Sequence, residues 1–224
     1  MIWGKHVSTR KLAGLFLTIG PIGVFLIWGI LQGAVLGAPN PDPEAPTLSA
    51  TTYLQANLDN QVAFNLLGIL GGLSFFALLV GFGMLALEVR SGGGAGAGCA
   101  GAAALMFPSV LAIGVANWGL EKTAVDLAVK EGIEAGVPMQ VIANGIGGGI
   151  GVLWGVGLLL LGVAIGLQKT VSAVLGWLLA VVGALLFVTA FLDTNSPVSF
   201  VVWIGLTLVT VAVGVSALRT PKAN

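Results

Sequence analysis

Long apolar runs separated by short polar stretches make up most of the chain. A membrane-spanning helix needs about 20 predominantly apolar residues in succession. Six segments meet this requirement, and none contains an Asp, Glu, Lys, Arg or His. The predicted spans are residues 12–36, 62–87, 99–120, 141–167, 171–192 and 197–218. The pattern therefore predicts an all-α integral membrane bundle of six transmembrane helices, in which residues 1–224 form a single domain.

The composition agrees with a protein surrounded by lipid. Of the 224 residues, 57% are hydrophobic and only 8% are charged, and the mean hydropathy is +1.03. A soluble domain carries roughly 25% charged residues. The soluble, disordered and nucleic-acid-binding classes are therefore excluded by composition.

The distribution of Lys and Arg predicts the orientation. With six spans, both termini lie on one side, and that side holds seven of the nine basic residues. They are Lys5, Arg10, Lys11, Arg90, Lys169, Arg219 and Lys222. Basic loops stay in the cytoplasm, so we predict cytoplasmic N and C termini in the inner (plasma) membrane of a prokaryote. The first span is too long for a signal-peptide core, and we expect it to be an anchor.

Residues 37–61 form the first of two long loops predicted on the non-cytoplasmic side. Its prolines predict a stiff, extended stretch, and they are Pro39, Pro41, Pro43 and Pro46. A short interfacial helix is predicted from Leu48 to Asn60, with Tyr53, Leu54 and Leu58 facing one way.

Residues 121–140 form the second long loop, which we predict to be a helix continuing out of the third span. Lys122, Asp126, Lys130 and Glu134 give successive oppositely charged pairs four residues apart. A solvated helix end is the simpler interpretation, and a docking surface for a partner is the alternative.

Glycines are spaced for close helix packing, above all in the fourth span. Gly145 with Gly149, and Gly151 with Gly155, have the GxxxG spacing that lets two backbones approach closely. The spacing recurs at Gly29, Gly33 and Gly37, and at Gly68 and Gly72. We predict helix packing within the bundle. A contact with another subunit and a glycine-lined hydrated pathway are the alternatives.

Four uncharged amides lie near the non-cytoplasmic ends of their predicted helices. They are Gln32, Asn65, Asn117 and Asn144. We predict that they form one shallow polar cluster, with Glu121 and Asp59 at its mouth. The cluster would hydrogen-bond neighbouring helices, or else form a vestibule for a small solute.

Residues typical of catalysis or metal binding are scarce. A single Cys (Cys99) and a single His (His6) cannot supply a disulfide, a zinc site or an iron–sulfur site within the chain. No nucleophile and base fall in one layer, and no carboxylate enters a predicted span, which disfavours ion pumping. Gly96 to Gly101 match GxGxxG, but we expect a turn there because no βαβ unit is possible. Trp154, at the centre of the fourth span, is expected to pack in the core or to face a bound lipid or pigment.

Two stretches resemble an uncharacterised family of small bacterial six-helix membrane proteins of unknown function. They are Thr9-Arg10-Lys11-Leu12-Ala13-Gly14 at the first span, and Leu158 to Leu179, which includes Leu175-Gly176-Trp177-Leu178. The resemblance implies the six-helix layout and carries no functional residues with it.

These features predict a non-catalytic accessory or scaffold subunit of a larger membrane complex, without cofactor or metal. Its expected partners are the lipid bilayer and other membrane subunits or a second copy, and not nucleic acid. The alternative is a channel or facilitator for a small neutral or apolar solute. A lipid-modifying enzyme would need a donor–acceptor constellation that the sequence does not show, and a bound metal or turnover that depends on Glu121 or Asp126 would support it.

Overall fold

The computed structural model describes residues 8–37, 44–191 and 197–219. Helix accounts for 92% of these residues, and they contain no strand, which confirms the all-α prediction for this part of the chain. The helices are α1 (Thr9–Leu36), α2 (Pro46–Asp59), α3 (Gln61–Ser91), α4 (Ala97–Glu131), α5 (Ile133–Gln168), α6 (Ala173–Thr189) and α7 (Pro197–Arg219).

Five of the described helices are long and apolar enough to cross a membrane: α1, α3, α4, α5 and α7. The sixth apolar helix, α6, has only 17 residues, which at 1.5 Å per residue span about 26 Å, less than the roughly 30 Å of a hydrocarbon core. Lys169, with a left-handed backbone conformation (φ 56°), ends α5 before the turn into α6. The chain has the helices of a multi-pass membrane protein, five to six in number.

The six apolar helices pack side by side in a closed ring. The order around the ring follows the chain, from α1 through α3, α4, α5 and α6 to α7, which returns to α1. Cross-contacts between α3 and α5 are sparse by comparison. The ring is filled at the end where α1 begins, because Phe82 of α3 stacks on Phe107 of α4 with centroids 5.1 Å apart.

A charged contact ties the elements together at this same end. Arg10 of α1 lies 3.6 Å from the carboxylate of Glu88 on α3. Its guanidinium also donates a hydrogen bond to the carbonyl oxygen of Thr170, in the turn between α5 and α6. The Arg10 side chain therefore links α1 to α3 and to the turn between α5 and α6.

The predicted loop 121–140 is two helix extensions. Helix α4 runs on to Glu131, as the charge pattern predicted, but Gly132 (φ 97°) breaks it and α5 begins at Ile133. Lys122 and Asp126 form the expected ion pair at 3.3 Å. Lys130 and Glu134 lie on opposite sides of the break, so they do not continue one helical face.

Helix α2 lies across the opposite end of the ring, against α4 and α5. Leu54 is fully buried there, in a cluster with Leu36 of α1, Phe64 of α3 and Val125 of α4. Pro46 begins α2 rather than extending a stiff stretch, because a proline at the first helical turn loses no hydrogen bond. The stretch predicted at Pro39, Pro41 and Pro43 lies outside the described residues.

Glycines set the approach of α5 to α6. A Cβ added at Gly155 would lie 2.5 Å from the backbone nitrogen of Phe187, and one at Gly183 would lie 2.4 Å from that of Leu159. Gly151 also faces α6, since its Cβ would lie 3.1 Å from that of Ala190. The other two glycines predicted for the interface, Gly145 and Gly149, have nothing within 4 Å of a Cβ. The GxxxG spacing alone does not show which glycines face a neighbouring helix.

We predict that Gly155→Ala destabilises the bundle by about 1–3 kcal/mol, because two backbones must separate to admit the methyl group. Gly149→Ala is the matched control on the same helix, and we expect it to be neutral or slightly stabilising, since alanine favours helix. Thermal unfolding of the two variants in one detergent measures the difference. Equal midpoints would contradict the packing described here.

Candidate functional site

A cavity of about 990 Å³ lies inside the ring at the end covered by α2. Every one of the seven helices contributes to its wall. Its polar or ionisable lining residues are Gln32, Tyr53, Asn117, Glu121, Asn144, Thr189 and Ser199, and the rest of the wall is formed by apolar side chains and glycines. The cavity is therefore amphipathic, with a large apolar wall and few polar groups.

The polar groups of the cavity are hydrogen-bonded in pairs near α2. The Gln32 Nε2 of α1 donates to the Tyr53 hydroxyl oxygen of α2 over 3.0 Å. The Asn117 Nδ2 donates to the Glu121 Oε1 over 3.0 Å, within α4. These bonds place an amide, a phenol and a carboxylate at one edge of the cavity.

Three of the four amides predicted to cluster line this cavity: Gln32, Asn117 and Asn144. Asn144 accepts a hydrogen bond from the Gln140 Nε2 over 2.9 Å. Asn65 does not join them, because it is exposed and lies outside the lining. Its neighbour Phe64 is buried and points into the bundle, and one residue along a helix turns the side chain by about 100°.

The two acids predicted at the mouth of the cluster lie in different places. Glu121 lines the cavity. Asp59 is exposed at the end of α2, where its carboxylate accepts a hydrogen bond from Gln55 over 2.8 Å. Glu121 is therefore the acid that a molecule in the cavity would meet.

Four aromatic rings close the inner end of the cavity, and we call them the aromatic floor: Trp28, Phe75, Trp154 and Trp203. Consecutive ring centroids in this row are 5.4, 5.5 and 5.5 Å apart. Trp28 lies in the π-helical part of α1, Phe25–Leu31, a deviation that is frequent at functional sites. Trp154 is 2% exposed, and its indole N–H finds no acceptor among the described residues.

Below the aromatic floor the ring is packed. Leu79 of α3 and Leu158 of α5 are at most 1% exposed there, next to the stacked pair Phe82 and Phe107. The lining of the cavity ends at the floor. The described structure therefore has a cavity in one half of the bundle, closed toward the other half.

Outward-facing side chains of α3 and α4 form part of the cavity wall. Its lining continues onto outward-facing side chains, with Leu73 of α3 63% exposed and Val115 of α4 60% exposed. Between them, Gly72 has nothing within 4 Å of an added Cβ. Because glycine has no side chain to fill the space at this level, we infer that the cavity opens sideways here, between α3 and α4.

Glycines form a large part of the cavity lining. Eight line the cavity: Gly29, Gly33, Gly68, Gly72, Gly114, Gly147, Gly148 and Gly151. Gly33, Gly72 and Gly148 have nothing within 4 Å of a Cβ. The GxxxG spacing in α1 and α3 therefore does not place every glycine against a neighbouring backbone, since Gly33 and Gly72 have empty space around an added Cβ.

Among the described residues, the lining of the cavity contains one acidic side chain and no basic one. Glu121 is its only carboxylate, and the lining includes no Lys, Arg or His. Burial, and then the Glu121 carboxylate, raise the pKa of Tyr53 above its ordinary value, so that this phenol stays neutral. The electrostatic character of the site is therefore set by Glu121.

Two other features singled out in the sequence lie away from the cavity. Gly94 and Gly96 have positive φ angles in the turn between α3 and α4, and the GxGxxG match belongs to this turn and to the start of α4. Within the described ranges, no three His, Cys, Asp or Glu residues lie together as a metal site would require. His6 lies outside those ranges.

Tyr53 and the aromatic floor are the parts of the site that the sequence did not assign to it. Tyr53 was predicted on one face of a short helix, and the sequence pattern gave no reason to group Trp28 or Trp203 with it. Four of the six tryptophans and the single tyrosine of the chain line the cavity. That concentration becomes visible only when the helices are placed in a ring.

Comparison with protein-family models, with curated proteins and with solved structures finds no match to this chain. The resemblance noted in the sequence stays a prediction, and the functional argument depends on the cavity alone.

Proposed function

We propose that this chain is a non-catalytic membrane protein that binds a small, largely apolar organic molecule in the cavity between its helices. The observation that carries the proposal is the cavity itself. At about 990 Å³ it falls at the upper end of the range typical of small-molecule sites, which are mostly apolar with a few fixed polar groups.

The route into the cavity supports a ligand that dissolves in lipid. The opening between α3 and α4 is bordered by apolar side chains such as Leu73, Phe76 and Val115. A molecule in the bilayer reaches this gap without entering water. The closed aromatic floor argues against an open channel, so a facilitator would need Trp154 and its neighbours to move.

The role of accessory or scaffold subunit stays a prediction, and one observation favours it. Gly145 and Gly149 lie on an exposed face of α5 and meet nothing within 4 Å of a Cβ. Such a face admits the close approach of another helix. Purification in mild detergent with identification of co-migrating chains tests this role, and a chain that migrates alone as a monomer contradicts it.

We further propose six spans with cytoplasmic termini, in the inner membrane of a prokaryote, from the placement of the basic residues. The cavity then lies in the non-cytoplasmic half of the bilayer. Alkaline phosphatase fused after Gly37 should be active, and the same enzyme fused to the C-terminus should be inactive. Activity at the C-terminus would contradict the orientation.

Filling the cavity should weaken binding of a neutral hydrophobic dye. We predict that Gly148→Leu weakens binding of N-phenyl-1-naphthylamine by about tenfold, equivalent to about 1.4 kcal/mol, because the new side chain enters the cavity. Energy transfer from the four lining tryptophans to the dye measures the binding.

Gly149→Leu is the matched control for this experiment. Gly149 is the next residue of α5 and also has free space around a Cβ, but it lies outside the lining. We expect this variant to bind the dye as the unmodified chain does. Equal loss in both variants, or no binding to the unmodified chain, would contradict the proposed function.

A further inference from the structure

We propose that the molecule held in the cavity is a hydrophobic organic cation, with its charge beside Glu121 and its apolar body toward the aromatic floor. This inference rests on the proposed function, because it names the chemical class of the ligand for the same cavity. It departs from the neutral or apolar solute expected from the sequence.

The first argument is an unpaired carboxylate in an apolar cavity. Glu121 is partly buried, and in the described structure its hydrogen-bond partner is the neutral amide of Asn117. Arg10 pairs with Glu88 and Lys122 pairs with Asp126, and no Lys or Arg among the described residues forms an ion pair with Glu121. An ionised carboxylate removed from water without a counter-charge is costly, and the cost is relieved either by a proton or by a bound cation. A bound cation supplies that counter-charge.

The second argument is the concentration of aromatic rings around the same space. The cavity is lined by eight aromatic side chains: Trp28, Tyr53, Phe64, Phe75, Phe76, Trp118, Trp154 and Trp203. Trp118 lies three residues before Glu121 on α4, so the two side chains share one face of the helix. The faces of aromatic rings attract organic cations, and tryptophan attracts them most strongly.

The third argument concerns the polar groups of the lining and the charges that they offer to a ligand. Gln32 is bonded to Tyr53, and Asn144 to Gln140, so these amides already have partners. The Asn117 Oδ1 is buried and has no donor in the described structure. The lining therefore offers one carboxylate to a cation, that of Glu121, and no Lys, Arg or His to an anion.

The test uses two probes of the same shape and opposite charge, tetraphenylphosphonium and tetraphenylborate. The full chain is placed in nanodiscs of phosphatidylcholine, a lipid without net charge, and quenching of tryptophan fluorescence measures binding. We expect the unmodified chain to bind the cation at least about tenfold more tightly than the anion, because Glu121 attracts one and repels the other.

Substitutions at Glu121 test whether its carboxylate causes the preference for the cation. Glu121→Gln keeps the shape and removes the charge, so we expect it to lower the ratio of cation affinity to anion affinity by about tenfold. Glu121→Asp keeps the charge and should retain most of the preference. Glu131→Gln is the control, since Glu131 is exposed at the end of the same helix and its loss should change neither probe.

The outcomes separate the two proposals. If the unmodified chain binds the dye but binds both charged probes equally, or prefers the anion, the cation proposal is wrong and the proposed function stands. The same conclusion follows if Glu121→Gln keeps the ratio of cation affinity to anion affinity of the unmodified chain. If the unmodified chain binds neither dye nor cation, both proposals are wrong. Because the two probes are compared on the unmodified chain, the test does not depend on the folding of a variant.

Discussion

The arrangement of the helices depends on glycine, because a residue without a side chain either lets two helices approach closely or leaves space between them. Where a neighbouring backbone lies opposite a glycine, as at Gly155 and Gly183, α5 and α6 approach until a single methyl group would collide with backbone atoms. Where no backbone lies opposite, as at Gly72 and Gly148, the same absence leaves volume. One residue type therefore closes the α5–α6 side of the ring and forms the cavity within it.

The polar and aromatic groups give that volume its character. The cavity would be a packing defect if its wall were uniformly aliphatic, and an aqueous pore if its wall were uniformly polar. Instead the aromatic floor closes one end, and hydrogen-bonded pairs such as Gln32 with Tyr53 lie at the other. Glu121 is the one carboxylate of the lining, and its hydrogen-bond partner Asn117 is neutral. A ligand with a positively charged head and an apolar body would therefore bind with its head toward Glu121.

Much of the fold could be predicted from the sequence, because lipid imposes simple constraints on composition. The positions of charges located the apolar helices, and the small amphipathic pattern around Leu54 located α2. The exact ends could not be predicted, because Gly132 breaks the helix through its backbone conformation and hydropathy does not report it. The site was predicted in part: Gln32, Asn117 and Asn144 meet, whereas Asn65 does not, since depth in the membrane says nothing about which face of a helix a residue occupies. For the same reason, the GxxxG spacing did not distinguish Gly155, which packs against α6, from Gly149, which has nothing within 4 Å of an added Cβ.

The central claim is that the cavity accommodates a bound molecule, and a cryo-electron microscopy map of the full chain in a lipid nanodisc tests it most directly. The account predicts non-protein density between the aromatic floor and Glu121, continuous with the gap beside Gly72. A map in which α3 and α4 close at Gly72 and side chains fill the space above Trp154 would contradict it.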